Sequence, residues 1–373
     1  MTNIVYIASY NPAGDGVTVD YVPMQNACTA AGVDGMVILE GGGKKYYMGT
    51  NELVIPKGVT IYNPGLAGGN NVYDQTWANS LGGILTDPSY PIFMQSRTAL
   101  KNVTVYPAGM TFPQSDASAW TGTAISTNTG NQEWDIKLEN SLIMGYAMGF
   151  DGHNCPRLEM EKAMIDCVAG VNIDTAVDCI RLHKVHVWPF ATVSGPNAAS
   201  GTGLVRNGTA YNFATNADGG SVESCFTNNH LNGFVVTDVN GLRFMACGAE
   251  APYISNATGY LLQGNTQNTD IDSCQGVGCQ NGVVINANNP GMVNSITGGM
   301  YGTNNDNNIR VFNGVAKITG VNFQPATNAH TSLIGTGSRI VATGNSYTGA
   351  IPFNILLNGA AGSQLSSSNN VPI

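Results

Sequence analysis

The chain has 373 residues, of which 43% are hydrophobic and only 10% are charged, and 47 are glycine. The hydrophobic content is sufficient for a sizeable core and argues against disorder, while the glycine content favours turns and strands over long helices. The formal net charge of −9, without an extended run of Lys or Arg, argues against nucleic acid as a partner. The first residues lack a basic start followed by a long apolar run, so neither a signal peptide nor membrane insertion is expected.

The first predicted element is a helix near the N-terminus, in the run VPMQNACTAAG that ends at Gly32. Its apolar face comprises Val22, Met24, Ala27, Cys28 and Ala31. Residues 36–65 follow as short apolar strands separated by Gly or Pro turns. A stack of repeating coils exposes apolar side chains and strand edges at its end. Residues 1–65 are therefore predicted to form a capping helix and the first coils of such a stack.

From Ile136 onward the sequence repeats. Similar rows begin at Ile136, Leu158 and Ile180, 22 residues apart, and later rows begin at Val222, Phe244, Ile271, Ile296, Ile318 and Ile340. In each row apolar and polar residues alternate, the alternation is interrupted for two residues, and it then resumes. This pattern predicts a strand, a tight bend and a second strand. Stacking the rows aligns one inward column of Leu138, Met160, Leu182, Val222, Phe244 and Ile271, and another of Ser141, Ala163, Val185, Cys225, Cys247 and Cys274.

These rows predict an all-β fold, a single-stranded parallel β-helix built as a solenoid of about 22-residue coils. A helical solenoid would need long runs at helical spacing, which the Gly and Asn content between the strands forbids. Residues 66–345 are predicted to form the β-helix, with about nine coils from residue 136 and an insertion at about residues 189–215. Residues 346–373 are predicted to be a last strand and tail. The eight cysteines lack zinc-site spacing and are predicted to be free buried thiols.

The N-terminal motifs resemble those of the pectate-lyase-like right-handed parallel β-helix superfamily. The matching residues are Gly14, Asp15, Gly16, Thr18 and Asp20 of a GDG-x-T-x-D segment, the aromatic pair Tyr46 and Tyr47, and Pro56, Gly58 and Val59 of an I-P-x-G-V strand. Within that superfamily, the low charge and the richness in Asn, Gly and Thr look most like bacteriophage tailspikes. The resemblance implies a virion-borne homotrimer, acting outside the cell, that binds and cleaves a bacterial surface polysaccharide such as capsule or O-antigen. It also allows attachment to another virion tail protein, and it implies no cofactor.

Endoglycosidase chemistry requires two carboxyl groups, about 5 Å apart for retention of configuration and about 6.5–9.5 Å apart for inversion. The outward column at the bend contains Glu161 and Glu223 two coils apart, with His183 between them. At about 4.8 Å per coil, this spacing suits an inverting pair. Asp166 and Glu250 are rival carboxylates on the adjacent outward strand. No metal site is predicted.

The same outward face carries the candidates for substrate binding, which are Arg181, His183, His186, Trp188 and Arg243. Trp188 can stack on a sugar ring, the arginines can hold hydroxyl or acid groups, and the histidines can donate hydrogen bonds. The insertion after Trp188 could wall a glycan groove, reach a neighbouring chain or act as a spacer. Asp151 and His153, in the segment GFDGHN, are interpreted as an Asx-type turn in preference to a metal or catalytic pair.

Two alternative functions stay open from the sequence. A polysaccharide lyase would abstract a proton next to a uronate carboxylate, and Arg181, Lys184 and His186 would then carry the chemistry. A non-catalytic glycan-binding module would use the same face without cleavage. Association of chains is expected to cover the apolar outward residues Leu142, Met144 and Met164.

Overall fold

The computed structural model of the chain describes residues 3–65, 82–304, 306–327, 329–333, 337–348, 355–357 and 364–372. These residues form a parallel β-solenoid of about 12 turns, so the predicted all-β solenoid is confirmed. The chain divides into two compact units: residues 1–176 with 182–206, and residues 177–181 with 207–373. The predicted domain limits at residues 65 and 345 stay a prediction, and parts of the predicted segments 66–345 and 346–373 lie outside the described residues.

In the first unit, successive coils contribute parallel strands to three sheets. Its first sheet contains Ile4–Tyr6, Met36–Ile38, Thr60–Tyr62, Ala99–Lys101, Lys137–Glu139, Glu159–Glu161 and Arg181–His183. Its second sheet contains Asp15–Val19, Lys45–Tyr47, Gly83–Thr86, Thr104–Pro107, Leu142–Met144, Met164–Asp166 and His186–Val187. Its third sheet contains Val54–Ile55, Ile92–Met94, Thr123–Ser126, Met148–His153 and Ala169–Asp174.

The second unit repeats the same three-sheet pattern. Its first sheet contains Ser221–Glu223, Arg243–Met245, Asp270–Asp272, Val293–Thr297, Val315–Thr319, Arg339–Thr343 and Gln364–Ser368. Its second sheet contains Phe226–Asn228, Gly248–Glu250, Gln275–Val277, Met300–Gly302, Asn322–Phe323, Ser346–Tyr347 and Val371–Pro372. Its third sheet contains Arg206–Ala214, His230–Thr237, Thr258–Gly264, Asn281–Ala287, Asn307–Asn313, Ala329–Leu333 and Ile355–Leu357.

The described residues contain one α-helix, Tyr21–Ala31, and two 3₁₀ turns, Ile7–Tyr10 and Thr202–Leu204. The helix lies where the sequence predicts it and buries Met24, Ala27, Cys28 and Ala31. Val22 is the exception, since it is 60% exposed and does not belong to the buried face. No helix within the described residues is long and apolar enough to cross a membrane.

The inward columns have the predicted register for most of the stack. The confirmed pairs include Leu138 with Met160, Val222 with Phe244, Phe244 with Ile271, and Ile271 with Ile296, and all these side chains are buried. The last predicted row is wrong by two residues. Ile318 pairs with Ala342, and Ile340 pairs with Ala316.

The bend between the first and second strands of a coil contains a residue with a left-handed backbone. In eight of the coils φ lies between 47° and 56° at a residue other than glycine, which is Asn102, Asn140, Lys162, Lys184, Ser224, Ala246, Ser273 or Asn369. In three others the residue is glycine, at position 298 together with 299, at 320 and at 344. A single left-handed residue turns the chain and changes which face the next side chain occupies, which explains why the alternation loses step there. Residues other than Gly and Asn pay about 1–2 kcal/mol for this conformation.

This strain predicts opposite responses to the same substitution at two exposed alanines. Ala246→Gly is expected to leave the free energy of unfolding unchanged or raise it by up to about 1 kcal/mol, because strain relief is partly offset by the larger entropy of unfolded glycine. Ala30→Gly, within the helix, is expected to lower it by about 1 kcal/mol. Urea denaturation followed by circular dichroism measures both. Equal losses for the two variants would contradict a strained bend.

The third strand of each coil was not predicted, although it builds much of the core. In the second unit, Tyr211, Phe234 and Tyr260 stack one coil above the next, with ring centroids 4.6 and 4.9 Å apart. The eight cysteines are free thiols, as predicted, and seven of them are buried. Burial raises the pKa of Cys28 to about 12, so this thiol is protonated and acts as an apolar core residue.

Candidate functional site

The outer face of the first sheet carries alternating charges in the first unit. Glu139 Oε2 lies 3.2 Å from Lys101 Nζ and 3.5 Å from Lys137 Nζ, and Lys137 Nζ donates to Glu159 Oε1 at 3.0 Å. Partial burial alone would raise the pKa of Glu139, but hydrogen bonds and charge from Lys101 and Lys137 lower it overall. Glu139 is therefore ionised and neutralised by its neighbours, so this part of the face is a stabilising ladder of ion pairs.

Glu161 is the predicted catalytic glutamate of the first unit, and its side chain is partly exposed. Its Oε1 lies 3.3 Å from Lys162 Nζ and 4.0 Å from His183 Nδ1, and the side chain is 31% exposed. In the second unit, Glu223 is half-buried on the outer face, where its backbone pairs with Met245. The two glutamates lie in different compact units, and their roles as an acid and base pair stay predictions.

Asp166 is fully buried, so a substrate cannot reach it. Arg206 Nε donates to Asp166 Oδ1 at 2.9 Å, and the Ala191 N–H donates to Oδ2 at 2.6 Å. Burial raises the pKa of Asp166, while Arg206 and the Ala191 N–H oppose that rise. Arg206 is also fully buried and donates to Thr192 Oγ1 at 3.0 Å and to the Gly203 carbonyl at 3.1 Å. Asp166 therefore has a structural role in a buried ion pair, in place of the predicted catalytic one.

Two covering segments, residues 108–121 and 189–205, pack on the outer face of the second sheet beside this ion pair. The apolar cluster there contains Leu85, Tyr106, Phe112, Ala117, Trp120, Leu142, Met144, Phe190 and Ala191. Leu142 and Met144 are fully buried within the chain itself, so association is not needed to cover them, contrary to the expectation from sequence. The insertion is also shorter than predicted, because residues 206–214 form a strand of the third sheet.

The covering segments contact each other most closely at two glycines. A Cβ at Gly195 would lie 2.0 Å from the Gln114 carbonyl oxygen, and a Cβ at Gly203 would lie 2.7 Å from the Ser115 carbonyl oxygen. The Gln114 N–H donates to the Ala191 carbonyl at 2.7 Å. The glycines of the insertion therefore permit close packing within the chain, and the insertion is not a loose spacer.

The aromatic and histidine candidates for sugar binding are only partly available. Trp188 is half-buried against the covering segments, and its ring centroid lies 5.4 Å from that of Phe190. Only part of the indole surface can therefore stack on a sugar. His186 reaches solvent, while desolvation of its ring lowers its pKa, so the imidazole is neutral at neutral pH.

The other predicted binding residues differ in their surroundings. Arg181 is exposed on the outer face of the first sheet. Arg243 Nη2 lies 3.2 Å from Asp272 Oδ2, so its charge is already compensated. Glu250 is half-buried at the end of its strand on the second sheet. The first-sheet and second-sheet candidates are therefore dispersed along the chain, and the structure does not join them into one constellation within a unit.

A constellation that the sequence did not assign lies on the third sheet of the first unit. We call Asp151, His153, Asn172 and Asp174 the third-sheet cluster. Their two strands pair in register, so Asp151 lies next to Asn172 and His153 next to Asp174. Asn172 Nδ2 donates to Asp151 Oδ1 at 2.8 Å, and His153 Nδ1 contacts Asp174 Oδ1. The side chains of His153 and Asp174 are 43% and 28% exposed, so a ligand can reach both.

The third-sheet cluster has the components of acid–base chemistry. The Asp174 Oδ1 atom is buried and has no hydrogen bond from the described residues, so its polar contact is with the His153 ring. An imidazole oriented by a carboxylate is the arrangement of a general base. Asp151 and Asp174 are offset by one strand and two residues, about 8 Å between Cα atoms. Two carboxylates on neighbouring strands can serve as the acid and the base of glycosidic cleavage, and inversion requires their carboxyl groups to lie about 6.5–9.5 Å apart.

Asp151 and His153 lie on a strand, so their interpretation as an Asx-type turn is wrong. Gly152, between them, faces inward, where there is no room for a side chain. A Cβ there would lie 2.7 Å from the Phe150 ring and 2.9 Å from Cys155 Sγ. The period-two alternation from Phe150 to His153 could have identified the strand. Among the described residues, no group of His, Cys, Asp and Glu side chains is placed to hold a metal ion.

No protein-family model matches the chain, and no curated protein matches it. Solved structures do match. The periplasmic alginate epimerase AlgG overlays with a TM-score of 0.52 at 8% identity, covering 91% of this chain and 77% of that chain. The chain has the right-handed parallel β-helix fold. The catalytic unit of a thermostable α-1,3-glucanase from Streptomyces thermodiastaticus gives a TM-score of 0.51 at 11% identity, covering 95% and 70% of the two chains. The Dettilon tailspike protein overlays at 0.43 and 12% identity, covering 99% and 68%.

The overlays with TM-scores above 0.5 confirm the fold that the N-terminal motifs implied. At these identities the overlays show the fold alone, because one fold can carry many different activities.

Proposed function

We propose that this protein binds a polysaccharide along its β-helix and cleaves it as an endoglycosidase, with the third-sheet cluster as its catalytic site. The observation that carries the proposal is the contact of His153 with Asp174 beside a second accessible carboxylate, Asp151. The names of the two overlaid enzymes, an alginate epimerase and an α-1,3-glucanase, support a polysaccharide as the class of substrate.

In the proposed reaction, one of the two aspartates protonates the glycosidic oxygen while the other activates a water molecule on the opposite side of the sugar. His153 contacts the carboxylate of Asp174 and can hold it in place and exchange a proton with it. Asn172 fixes the orientation of Asp151 through its amide hydrogen bond. The chain's own side chains thus supply an acid, a base and an orienting group.

A second candidate function is elimination by a polysaccharide lyase. It is favoured by the exposed imidazole of His153, which could abstract the proton next to a uronate carboxylate. Of the residues proposed from the sequence for the same chemistry, Arg181 lies on the first sheet, His186 on the second, and Lys184 in the bend between them. A non-catalytic binding module remains the alternative if no chemistry occurs.

The experiment is to incubate the purified full chain with a panel of bacterial capsular and O-antigen polysaccharides. Polymer size, reducing ends and the ultraviolet absorbance of unsaturated sugar ends are followed together. New reducing ends without absorbance are expected. Absorbance would replace the hydrolase with the lyase, and binding without any shortening would contradict both enzymatic proposals for the polysaccharides tested.

The glutamates remain the rival proposal for the acid and base, and they give a separate prediction. Glu161→Gln and Glu223→Gln are expected to retain activity within about threefold, because neither residue touches the third-sheet cluster; a lost catalytic acid or base would cost about a hundredfold or more. Initial rates of reducing-end formation measure this effect, with Glu250→Gln tested alongside. A collapse of activity in Glu161→Gln or Glu223→Gln would move the active site to the first sheet.

The resemblance of the N-terminal motifs to tailspikes supports three further proposals: a bacterial surface polysaccharide as substrate, a virion location with action outside the cell, and a homotrimer. The burial of Leu142 and Met144 within the chain removes the packing argument for association, so the trimer rests on the resemblance. Light scattering of the full chain tests it, because a single 39.0 kDa species would contradict a trimer.

A further inference from the structure

A cavity of about 440 Å³ lies on the outer face of the first sheet in the second unit. Its walls include Pro290, Val293, Val315, Lys317, Arg339 and Val341. None of these residues belongs to the third-sheet cluster or to the catalytic and binding candidates predicted from the sequence. The volume falls within the range of about 300–1,000 Å³ that is typical of small-molecule sites.

The strand register determines which side chains meet in this cavity. Val293, Val315 and Arg339 occupy one column of paired residues, and Lys317 pairs with Val341 in the neighbouring column. Lys317 and Arg339 are therefore offset by one strand and two residues, about 8 Å between Cα atoms. Both side chains are exposed. The cavity thus presents two cationic groups above a valine surface.

The charges of these two residues are not compensated within the described part of the chain. From residue 207 onward the sequence contains four Lys or Arg residues. Arg243 lies 3.2 Å from an Asp272 oxygen and Arg310 lies 3.4 Å from an Asp306 oxygen. No carboxylate among the described residues lies within ion-pair distance of Lys317 or Arg339.

In the column of paired residues that contains Lys317, the nearest acidic residue is Asp270, two strands away. Its carboxylate accepts a hydrogen bond from the Ser295 hydroxyl on the strand between them. In a chain with a net charge of −9, two adjacent uncompensated cations in a concave site indicate an anionic ligand. An arginine beside a lysine suits a carboxylate, which the guanidinium can bind through two parallel hydrogen bonds.

We propose that this cavity binds a sugar residue that carries a carboxylate, within the polysaccharide that the protein processes. The valines would contact the apolar face of the sugar ring, while Lys317 and Arg339 bind its acid group. The anionic character of the ligand follows from the cavity itself, and the assignment of the anion to a sugar rests on the proposed function. The site shares no residue with the third-sheet cluster, and its proposed role is to anchor the polymer.

The test is isothermal titration of the full chain with trigalacturonate, with its fully methyl-esterified form as the matched neutral ligand, and with inorganic phosphate. The acid form is expected to bind at least about tenfold more tightly than the ester, and the double variant Lys317→Gln/Arg339→Gln is expected to lose that preference. Lys57→Gln, which removes an exposed cation outside the cavity, is the control and is expected to leave binding unchanged.

Equal binding of acid and ester, unchanged binding in the double variant, or no binding of trigalacturonate would overturn the proposal. Phosphate that binds as tightly as trigalacturonate would show an anion site without recognition of the sugar, and would overturn the assignment to a carboxylated sugar. These outcomes are independent of cleavage. If the protein cleaves a polymer but does not bind trigalacturonate, the proposed function stands and the proposed binding site does not. If it binds trigalacturonate but cleaves no polymer, the proposed binding site stands and the proposed cleavage does not.

Discussion

Arg206→Met is expected to lower the free energy of unfolding by about 3–5 kcal/mol, the cost of leaving a buried charge without its partner. Asp166 would remain fully buried and would lose the hydrogen bond from Arg206. It would keep only the hydrogen bond from the Ala191 N–H. The covering segment would lose the hydrogen bond from Arg206 to Thr192, while its Ala191 N–H would still donate to Asp166 on the second sheet. Urea denaturation followed by circular dichroism and tryptophan fluorescence measures the loss, and Trp120 reports locally because Arg206 lies 4.8 Å from its ring.

Two further variants make this prediction specific. Arg243→Met removes an exposed partner of Asp272 and is expected to cost at most about 1 kcal/mol. The double variant Asp166→Leu/Arg206→Met is expected to recover most of the stability lost in the single variant, because it removes both buried charges. A single variant as stable as the parent chain would show that the pair does not hold the covering segment.

The loss in Arg206→Met is also expected to depend on pH. Burial raises the pKa of Asp166, and removing Arg206 removes the main influence that opposes the rise. A carboxyl group whose pKa is higher in the folded state binds a proton more readily there, so acidification stabilises the folded state relative to the unfolded one. The difference in unfolding free energy between the variant and the parent should therefore shrink as the pH falls from neutral toward the ordinary pKa of aspartate. A constant difference would contradict this account.

The second large effect is expected at the proposed catalytic site. Asp174→Asn is expected to lower kcat by about 10²–10⁴-fold, the usual contribution of a general acid or base. His153→Asn should also lower kcat, because it removes the imidazole that contacts and positions the Asp174 carboxylate. Both side chains are partly exposed, so the thermal midpoint should change little. Rates of polysaccharide cleavage and melting curves are measured on the same preparations.

A matched control is Asp87→Asn, because Asp87 accepts a hydrogen bond from Ser89 in a turn outside the third-sheet cluster. Full activity is expected in this variant. Full activity in both His153→Asn and Asp174→Asn, with normal melting, would remove the third-sheet cluster from the mechanism. An equal loss of activity and stability in all three variants would indicate a general folding effect instead.

Local patterns in the sequence were enough to predict much of the fold. Alternation within rows predicted the first two strands of each coil, and the column from Leu138 to Ile296 has the predicted register. The third strand was not predicted because the segment that connects it to the second strand differs in length from coil to coil. Residues 145–147 connect the second and third strands in one coil, whereas the insertion after Trp188 does so in another.

The site could be predicted only in part, because accessibility is decided by distant segments. Asp166 occupies an outward strand position, yet its burial depends on the partner Arg206, 40 residues later. Asp151 and His153 were interpreted as part of a turn, whereas they lie on a strand whose alternate residues Phe150 and Gly152 pack inward. Pairing of His153 with Asp174 required the register of the third sheet, which the rows did not contain.

The coil-to-coil pairing also has a consequence for how the chain folds. Paired residues are close in sequence, 22 apart for Leu138 and Met160 and 25 apart for Ile271 and Ile296. Each coil therefore closes a short loop onto the coil before it, and the structure can grow by addition at an exposed strand edge. During synthesis the helix Tyr21–Ala31 and the coils next to it emerge before the later coils and provide the template on which those coils assemble. The chain can thus begin folding before its C-terminal half has been made.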